Sequence, residues 1–321
     1  MNKLILAACA AFALTVAPLS ASPTINDLTN GLSTFTNDVP KSLPFAAGSG
    51  IDWSNAYIGN LLNTDFPFVH FGLGASLGAT TIPADSIKPL VTSLGESFGM
   101  AELPLPFVAI SGRVGGLVLP FDVGFKVGFV PSAFSTIDGY NLTYSNWGVD
   151  VRYNLIKSDI LMPDVSVGVG VSGMSAGVSK SLGSGVTYTD ASLGTLNIAA
   201  PKLSLDLSSI QYEAKAQVSK TFLAFLTPYL GLGVGYGTGD AKAGVASTIT
   251  PSGSLSAWTN KYGVNFNSGT GFSKSNTAGV FSTRIYGGTS FDILVLKLDV
   301  QGEYSILDQA FGGSVGARIQ F

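Results

Sequence analysis

Phe121-Asp-Val-Gly-Phe-Lys-Val-Gly-Phe-Val130 alternates without interruption. On an extended chain, Phe121, Val123, Phe125, Val127 and Phe129 share one side. Asp122, Gly124, Lys126 and Gly128 share the other, where Val130 is the only bulky apolar residue. Such a strand has one wholly apolar side and one small or charged side. A water-soluble sandwich would bury those aromatics in a core, whereas a membrane barrel would turn them to lipid. The rest of the chain decides between the two.

The composition leans toward a membrane. Of 321 residues, 12% are charged and 46% hydrophobic, with a mean hydropathy of +0.38. Soluble domains carry roughly 25% charged residues. A net charge of −3 and a pI near 5.1 offer no basic patch, so nucleic acid is not an expected partner. Met1 to Lys3, the apolar run Leu4 to Val16 and the small-residue end Pro18 to Ala21 read as a signal peptide, 1–21, cleaved after Ala21. Leu6 to Cys9 spells a lipoprotein box, but Cys9 comes before the apolar run has formed, so lipidation is set aside. Cys9 is the only cysteine, so the mature chain is expected to hold no disulfide, thiolate nucleophile or Cys-ligated metal.

Period-two alternation recurs along 67–321. It marks Val69–Gly78, Asn146–Ile156, Asp164–Gly173, Ile210–Ser219, Tyr229–Gly237, Ala278–Gly288, Leu294–Tyr304 and the closing Ser314–Phe321. The pattern predicts about ten strands, within a range of eight to twelve, near 69–78, 106–117, 121–130, 146–156, 164–174, 203–219, 227–237, 277–289, 292–304 and 310–321. Many are about 9–11 residues, the length a tilted strand needs to cross a bilayer. Short links at Val118–Pro120, Lys157–Pro163, Thr221–Leu226 and Ser290–Phe291 alternate with long ones at 79–105, 131–145, 175–202 and 238–276; 305–309 is the exception. Short turns on one side and long loops on the other suit an up-and-down antiparallel transmembrane β-barrel. Residues 22–66 are polar and lack the alternation, and read as a periplasmic extension or a plug, in part helical around Thr24 to Leu32.

Two rival folds fit the pattern less well. Thr221 to Gly239 is uncharged over 19 residues and resembles a helical span, but Pro228 and glycines at 231, 233, 235, 237 and 239 lie on one face only if the segment is a strand. A soluble all-β protein would need a partner sheet and managed edges for apolar faces this uniform. Trp147, Tyr153, Tyr212 and Tyr236 fall near strand ends, where an interfacial girdle of a barrel places aromatics.

The ending Ser-Val-Gly-Ala-Arg-Ile-Gln-Phe321 puts Val315, Ala317, Ile319 and Phe321 on one face and closes on an aromatic. It resembles the C-terminal signature of bacterial outer-membrane β-barrels. The resemblance implies an all-β barrel in the cell outer membrane, with the assembly machinery as partner and those four residues as the assembly signal. The Gly-rich strands and the run from Leu103 to Phe129 also look like uncharacterised spirochaetal barrels, which implies location and fold but no substrate.

Little in the chain points to chemistry. Gly168 to Gly173 spells G-x-G-x-x-G, but no helix follows to offer its amides to a phosphate. His70 is the only histidine, so a multi-His metal site is excluded, and no local motif pairs it with a carboxylate or serine. Neither enzymatic activity, metal nor cofactor is expected. The lumen-facing set is Asp122, Lys126, Asp150, Arg152, Glu213, Lys215, Arg284, Lys297, Asp299, Glu303 and Arg318. Its mixed signs suit either a weakly selective aqueous pore or a closed interior laced by ion pairs. Glycines 124, 128, 148, 168, 170, 231, 233, 235, 279, 287 and 316 read as inward, leaving room for solute, a plug or an apolar ligand. Phe121, Val123, Phe125, Val127 and Phe129 are the expected lipid-facing set. Three functions follow as expectations: a porin-like channel for small solutes, uptake of hydrophobic compounds in the manner of the fatty-acid transporter family with its N-terminal plug, or a surface adhesin or structural barrel with a closed interior. The expected partners are membrane lipid and either small solutes or a hydrophobic ligand.

Overall fold

The computed structural model describes residues 25–50, 52–59, 70–83, 85, 88, 102–115, 119–131, 135–137, 140–159, 161–263 and 269–321. The expected signal peptide lies outside them. In chain order the elements are α1 (Ile25–Gly48), β1 (Phe71–Pro83), β2 (Glu102–Gly115), β3 (Phe121–Phe129), β4 (Thr136–Ile137), β5 (Tyr140–Ile156), β6 (Asp164–Ser181), β7 (Val186–Asp190), β8 (Gly194–Ile198), β9 (Lys202–Ser219), β10 (Leu226–Pro251), α2 (Leu255–Tyr262), β11 (Gly269–Ile293), β12 (Leu296–Ser305) and β13 (Phe311–Gln320).

Ten of the strands form one closed antiparallel ring, β1-β2-β3-β5-β6-β9-β10-β11-β12-β13, with β13 pairing back onto β1. At the seam the Phe321 amide donates to the Phe71 carbonyl at 2.9 Å, and the two rings lie 5.2 Å apart. Within the apolar belt every strand of the ring is paired on both sides, the condition for a sheet to stand in lipid. Thr221 to Gly239, whose hydropathy mimics a helix, contributes to strand β10, and no described helix is long and apolar enough to cross a membrane. The G-x-G-x-x-G run lies wholly within β6.

The strand ends that flank 116–120, 157–163, 220–225 and 294–295 lie at one rim. Those that flank 84–101, 130–139, 182–201, 252–268 and 306–310 lie at the other. One turn departs from expectation: β11 runs on to Ile293, and the chain reverses at Leu294–Val295 rather than Ser290–Phe291. Leu294 takes the left-handed conformation (φ 58°). No Gly, Asn or Pro marks that reversal, so the local sequence carries no turn chemistry to read.

The faces divide as period two requires. Phe121 is half-buried at the turn-side rim. Val123, Phe125, Val127 and Phe129 are exposed on the outer surface, while Asp122, Gly124, Lys126 and Gly128 are buried inside. The outer apolar run from Phe121 to Phe129 spans about 26 Å along the strand, or about 20 Å after a tilt of roughly 40°. Aromatics fringe it on both margins: Phe71, Tyr153, Phe291 and Phe321 at the turn side, and Trp147, Tyr212, Tyr236 and Phe281 at the loop side. Val315, Ala317, Ile319 and Phe321 are exposed on the outer face. Gly279 and Gly287 also belong to that face, because they share parity with Phe281 and Ile285, correcting their inward reading.

Beyond the loop-side aromatics the pattern inverts while the pairing continues. In β9 the outer face passes from Tyr212 and Ile210 to Ser208, Asp206 and Lys202, while the inner face passes from Lys215 and Gln211 to Leu207, Leu205 and Leu203. Strand β10 does the same, with Thr238, Asp240 and Lys242 outside and Ala241, Ala243 and Val245 inside. A wall that is apolar outward and polar inward belongs in lipid, and one of the opposite sense belongs in water. The long strands β5, β6, β9, β10 and β11 therefore leave the bilayer at this level and continue as a water-exposed sheet. A closed antiparallel barrel with an apolar belt and aromatic margins is an outer-membrane architecture, and this protein lies in an outer membrane.

Candidate functional site in the barrel lumen

The lumen is occupied by the chain's own N-terminal segment. In α1, Leu28, Leu32, Phe35, Val39, Leu43, Ala46 and Ala47 recur at helical spacing and are buried. They pack against inward residues of the water-exposed half of the wall, among them Phe107, Tyr144, Met174, Leu205 and Val245. Asn26, Asn30, Asn37 and Lys41 form the exposed stripe of the same helix. From Ile25 on, the expected helical stretch is thus the first part of a helix reaching Gly48, and Thr24 lies outside the described residues. Pro40 and Pro44 lie inside it and remove two backbone donors.

The β10 glycines explain how a helix fits a ten-stranded barrel. A side chain at Gly239 would strike the backbone carbonyl of Pro40, and one at Gly237 would lie 2.9 Å from the Pro44 Cβ. At Gly233 it would strike the Glu213 carboxylate, and at Gly231 the Tyr286 ring. The glycine stripe is a trough that receives the helix at the outer end and large polar side chains below.

Below α1, residues 49–50 and 52–58 descend through a buried ion-pair network. Arg113 pairs with Asp122 and, at 2.7 Å, with Asp150; Arg152 pairs with Asp122 at 2.9 Å. Arg284 meets Asp52 at 2.7 Å, Glu213 at 2.6 Å and Glu303 at 2.9 Å, and stacks its guanidinium 4.6 Å from the Tyr286 ring. Lys215 contacts Asp52 at 2.6 Å and Asp150 at 3.2 Å. Lys126 donates to the carbonyls of Ala47 and Ser49. Arg318 holds Asp299 at 2.6 Å, together with Ser54 and Asn55. Lys297 meets Asp292 at 2.7 Å. The Trp53 indole sits between Arg113 and Arg318, 5.9 and 4.8 Å from its centroid, and donates to Ser111. A cavity beside it, lined in part by Asp52, Trp53, Ser76, Gln301 and Arg318, holds about 30 Å³, room for a water molecule.

All eleven residues of the expected lumen set stand on the inner face. Salt bridges through Arg113 and Asp52 join Asp122, Asp150, Arg152, Glu213, Lys215, Arg284 and Glu303. Arg318 with Asp299 forms a separate pair, Lys126 meets plug carbonyls, and Lys297 with Asp292 stands nearer the turn-side rim. His70 lies at that rim with its ring against Gly59. Sequence reading missed Arg113, although parity in Val108–Val114 points it inward. It also missed Asp52 and Trp53, which sit in a segment without any period.

A second folded unit stands on the outer rim. Strand β8 pairs with the end of β10 on one side and with β7 on the other, and Leu196, Ile198, Ile249 and, from α2, Trp258 form a small core. Asp190 ties the unit together, accepting from Lys261 at 2.6 Å, from the Tyr262 hydroxyl at 2.6 Å and from Ser192 at 2.8 Å. The Lys261 hydrogen bond, then Tyr262 and Ser192, hold this carboxyl well below the usual carboxylate range.

No protein-family model and no curated protein sequence matches the chain. Solved structures do. The outer membrane protease OmpT from Escherichia coli is 8% identical, covering 79% of this chain and 95% of its own, with a TM-score of 0.35. The translocator domain of the autotransporter NalP from Neisseria meningitidis is 10% identical over 87% and 93%, with a TM-score of 0.35. Ail, the attachment invasion locus protein of Yersinia pestis, is 16% identical over 78% and 98%, with a TM-score of 0.24. These are similarities of general barrel type; the strand count and the filled lumen are read from this chain's own geometry.

Proposed function

We propose that this protein is an outer-membrane barrel closed by its own N-terminal plug, acting at the cell surface as a platform for the folded outer extension rather than as a standing pore. The burial of α1 carries the reading. Fully burying Leu32, Phe35, Val39, Leu43 and Phe45 is worth roughly 1.5–3 kcal/mol each. Their sum, about 8–15 kcal/mol, is comparable to the whole stability of a domain, so thermal displacement of the helix is rare. The ion pairs of residues 49–50 and 52–58 add to that hold. The unit formed by β7, β8 and α2 gives the platform a structured surface for a partner. No enzymatic role is part of this proposal.

Passage of small solutes is the second reading, and the polar wall favours it: with residues 25–58 absent, the charges around Arg113 and Arg284 would line a wet conduit. Planar-bilayer recording separates the two. The intact protein, shown to be folded by heat-modifiable migration, is expected to be silent, and a deletion of 25–58 to conduct. Steady conductance of the intact protein would overturn the closed reading in favour of the channel.

A further inference from the structure

We propose that the plug runs from outside to inside, so that the barrel carries the N-terminal end of α1 across the membrane and presents it at the cell surface. Contacts along the segment fix its direction. Asn37 bonds Asn276, which pairs with Ala241 in the water-exposed half of the wall. Pro40 lies at Gly239 and Pro44 at Gly237, two steps further toward the turn side. Asp52 then reaches Lys215, opposite Gly233, and the Ala56 amide donates to Ser219, opposite Tyr229. Gly59 ends against His70, next to the first residue of β1 at the turn-side rim. The order of depth follows the order of sequence throughout.

Two further observations agree. Asn26, Asp27 and Asn30 are exposed, whereas Ser42 to Ser49 are buried. The 24 residues of α1 extend about 36 Å, enough to run from the ion-pair network to the outer mouth. Ten strand crossings return the chain to the side where β1 begins; the passage through the lumen is an eleventh. The start of α1 and the end of β13 therefore stand on opposite sides of the membrane. Because short turns are periplasmic and long loops external, the start of α1 is outside. The ten-stranded wall begins and ends on one side, and the start of α1 stands on the other. The proposal goes beyond the closed-barrel reading, since it concerns the direction of the plug rather than its permeability.

Single-cysteine variants Asn26→Cys and Asn30→Cys, treated on intact cells with a membrane-impermeant maleimide, test it. Asn260→Cys on the outer unit and Lys157→Cys at a short turn serve as controls. Both helix variants are expected to label on intact cells as Asn260→Cys does, while Lys157→Cys labels only after permeabilisation. If the helix variants label only after permeabilisation, or not at all while the barrel keeps its heat-modifiable migration, the proposal is overturned. Two positions are used so that a local disturbance at one leaves the other readable. An intact protein that conducts yet labels from outside would remove the closed reading and leave this one standing.

Discussion

Arg284 joins the plug to the wall. Its guanidinium meets one carboxylate from the plug, Asp52, and two from the barrel, Glu213 and Glu303, and it is fully buried. Removing one partner of a buried ionic network leaves uncompensated charge, at a cost of about 3–5 kcal/mol. Arg284→Leu is expected to lose that much in urea unfolding of protein refolded into lipid vesicles. Asp52→Asn is expected to lose less, about 1–3 kcal/mol, because Arg284 keeps both glutamates and Lys215 keeps Asp150. Equal losses would contradict the placing of Arg284 at the centre. The two residues were not equally legible. Arg284 alternates with Ile285 in a strand and is read inward by parity. Asp52 lies in an irregular segment whose position depends on contacts far away in sequence, which no local pattern encodes.

The same contrast holds among the elements. Ten strands were readable because each must satisfy two media at once, and that requirement writes itself into every second residue. The full length of α1 was not, because Pro40 and Pro44 argue locally against a helix. The trough of β10 and the packing around Val39 and Leu43 override that local preference. On the outer unit, Asp190 makes a prediction specific to its element. Its folded carboxyl titrates below the unfolded value of about 3.8, so the stabilisation it provides is fully present above that pH and is lost as pH falls through the lowered folded value. A carbon-13 titration of the Asp190 carboxyl is expected to show a depressed midpoint, and Lys261→Ala to move it up toward the ordinary value. An ordinary midpoint in the unaltered protein would show that the clasp does not form.

For the molecule as a whole, the inversion of the wall divides it into a part made for lipid and a part made for water. Phe125 is exposed on the outer face midway along the belt, while Ser145 lies on the same face beyond Trp147. Phe125→Arg is expected to destabilise the barrel by about 2–4 kcal/mol in vesicles, and Ser145→Arg by about 0–1 kcal/mol. Similar penalties at both sites would deny the boundary. The inversion is present in the sequence, where Leu203, Leu205 and Leu207 share the parity of Lys215 and Gln217. Reading it requires asking where the medium changes along a single strand, not only which face is apolar.

The central claim, a helix seated in the lumen against the barrel wall, is tested most directly by disulfide trapping. Asn37→Cys with Asn276→Cys puts two sulfurs at positions whose side chains already meet across plug and wall, in a mature chain expected to hold no other cysteine. Oxidation of the barrel in its membrane is expected to close this pair, seen as a reductant-sensitive change in the mobility of the denatured chain. A pair that stays reduced in a correctly folded barrel, its thiols open to labelling, would contradict the account.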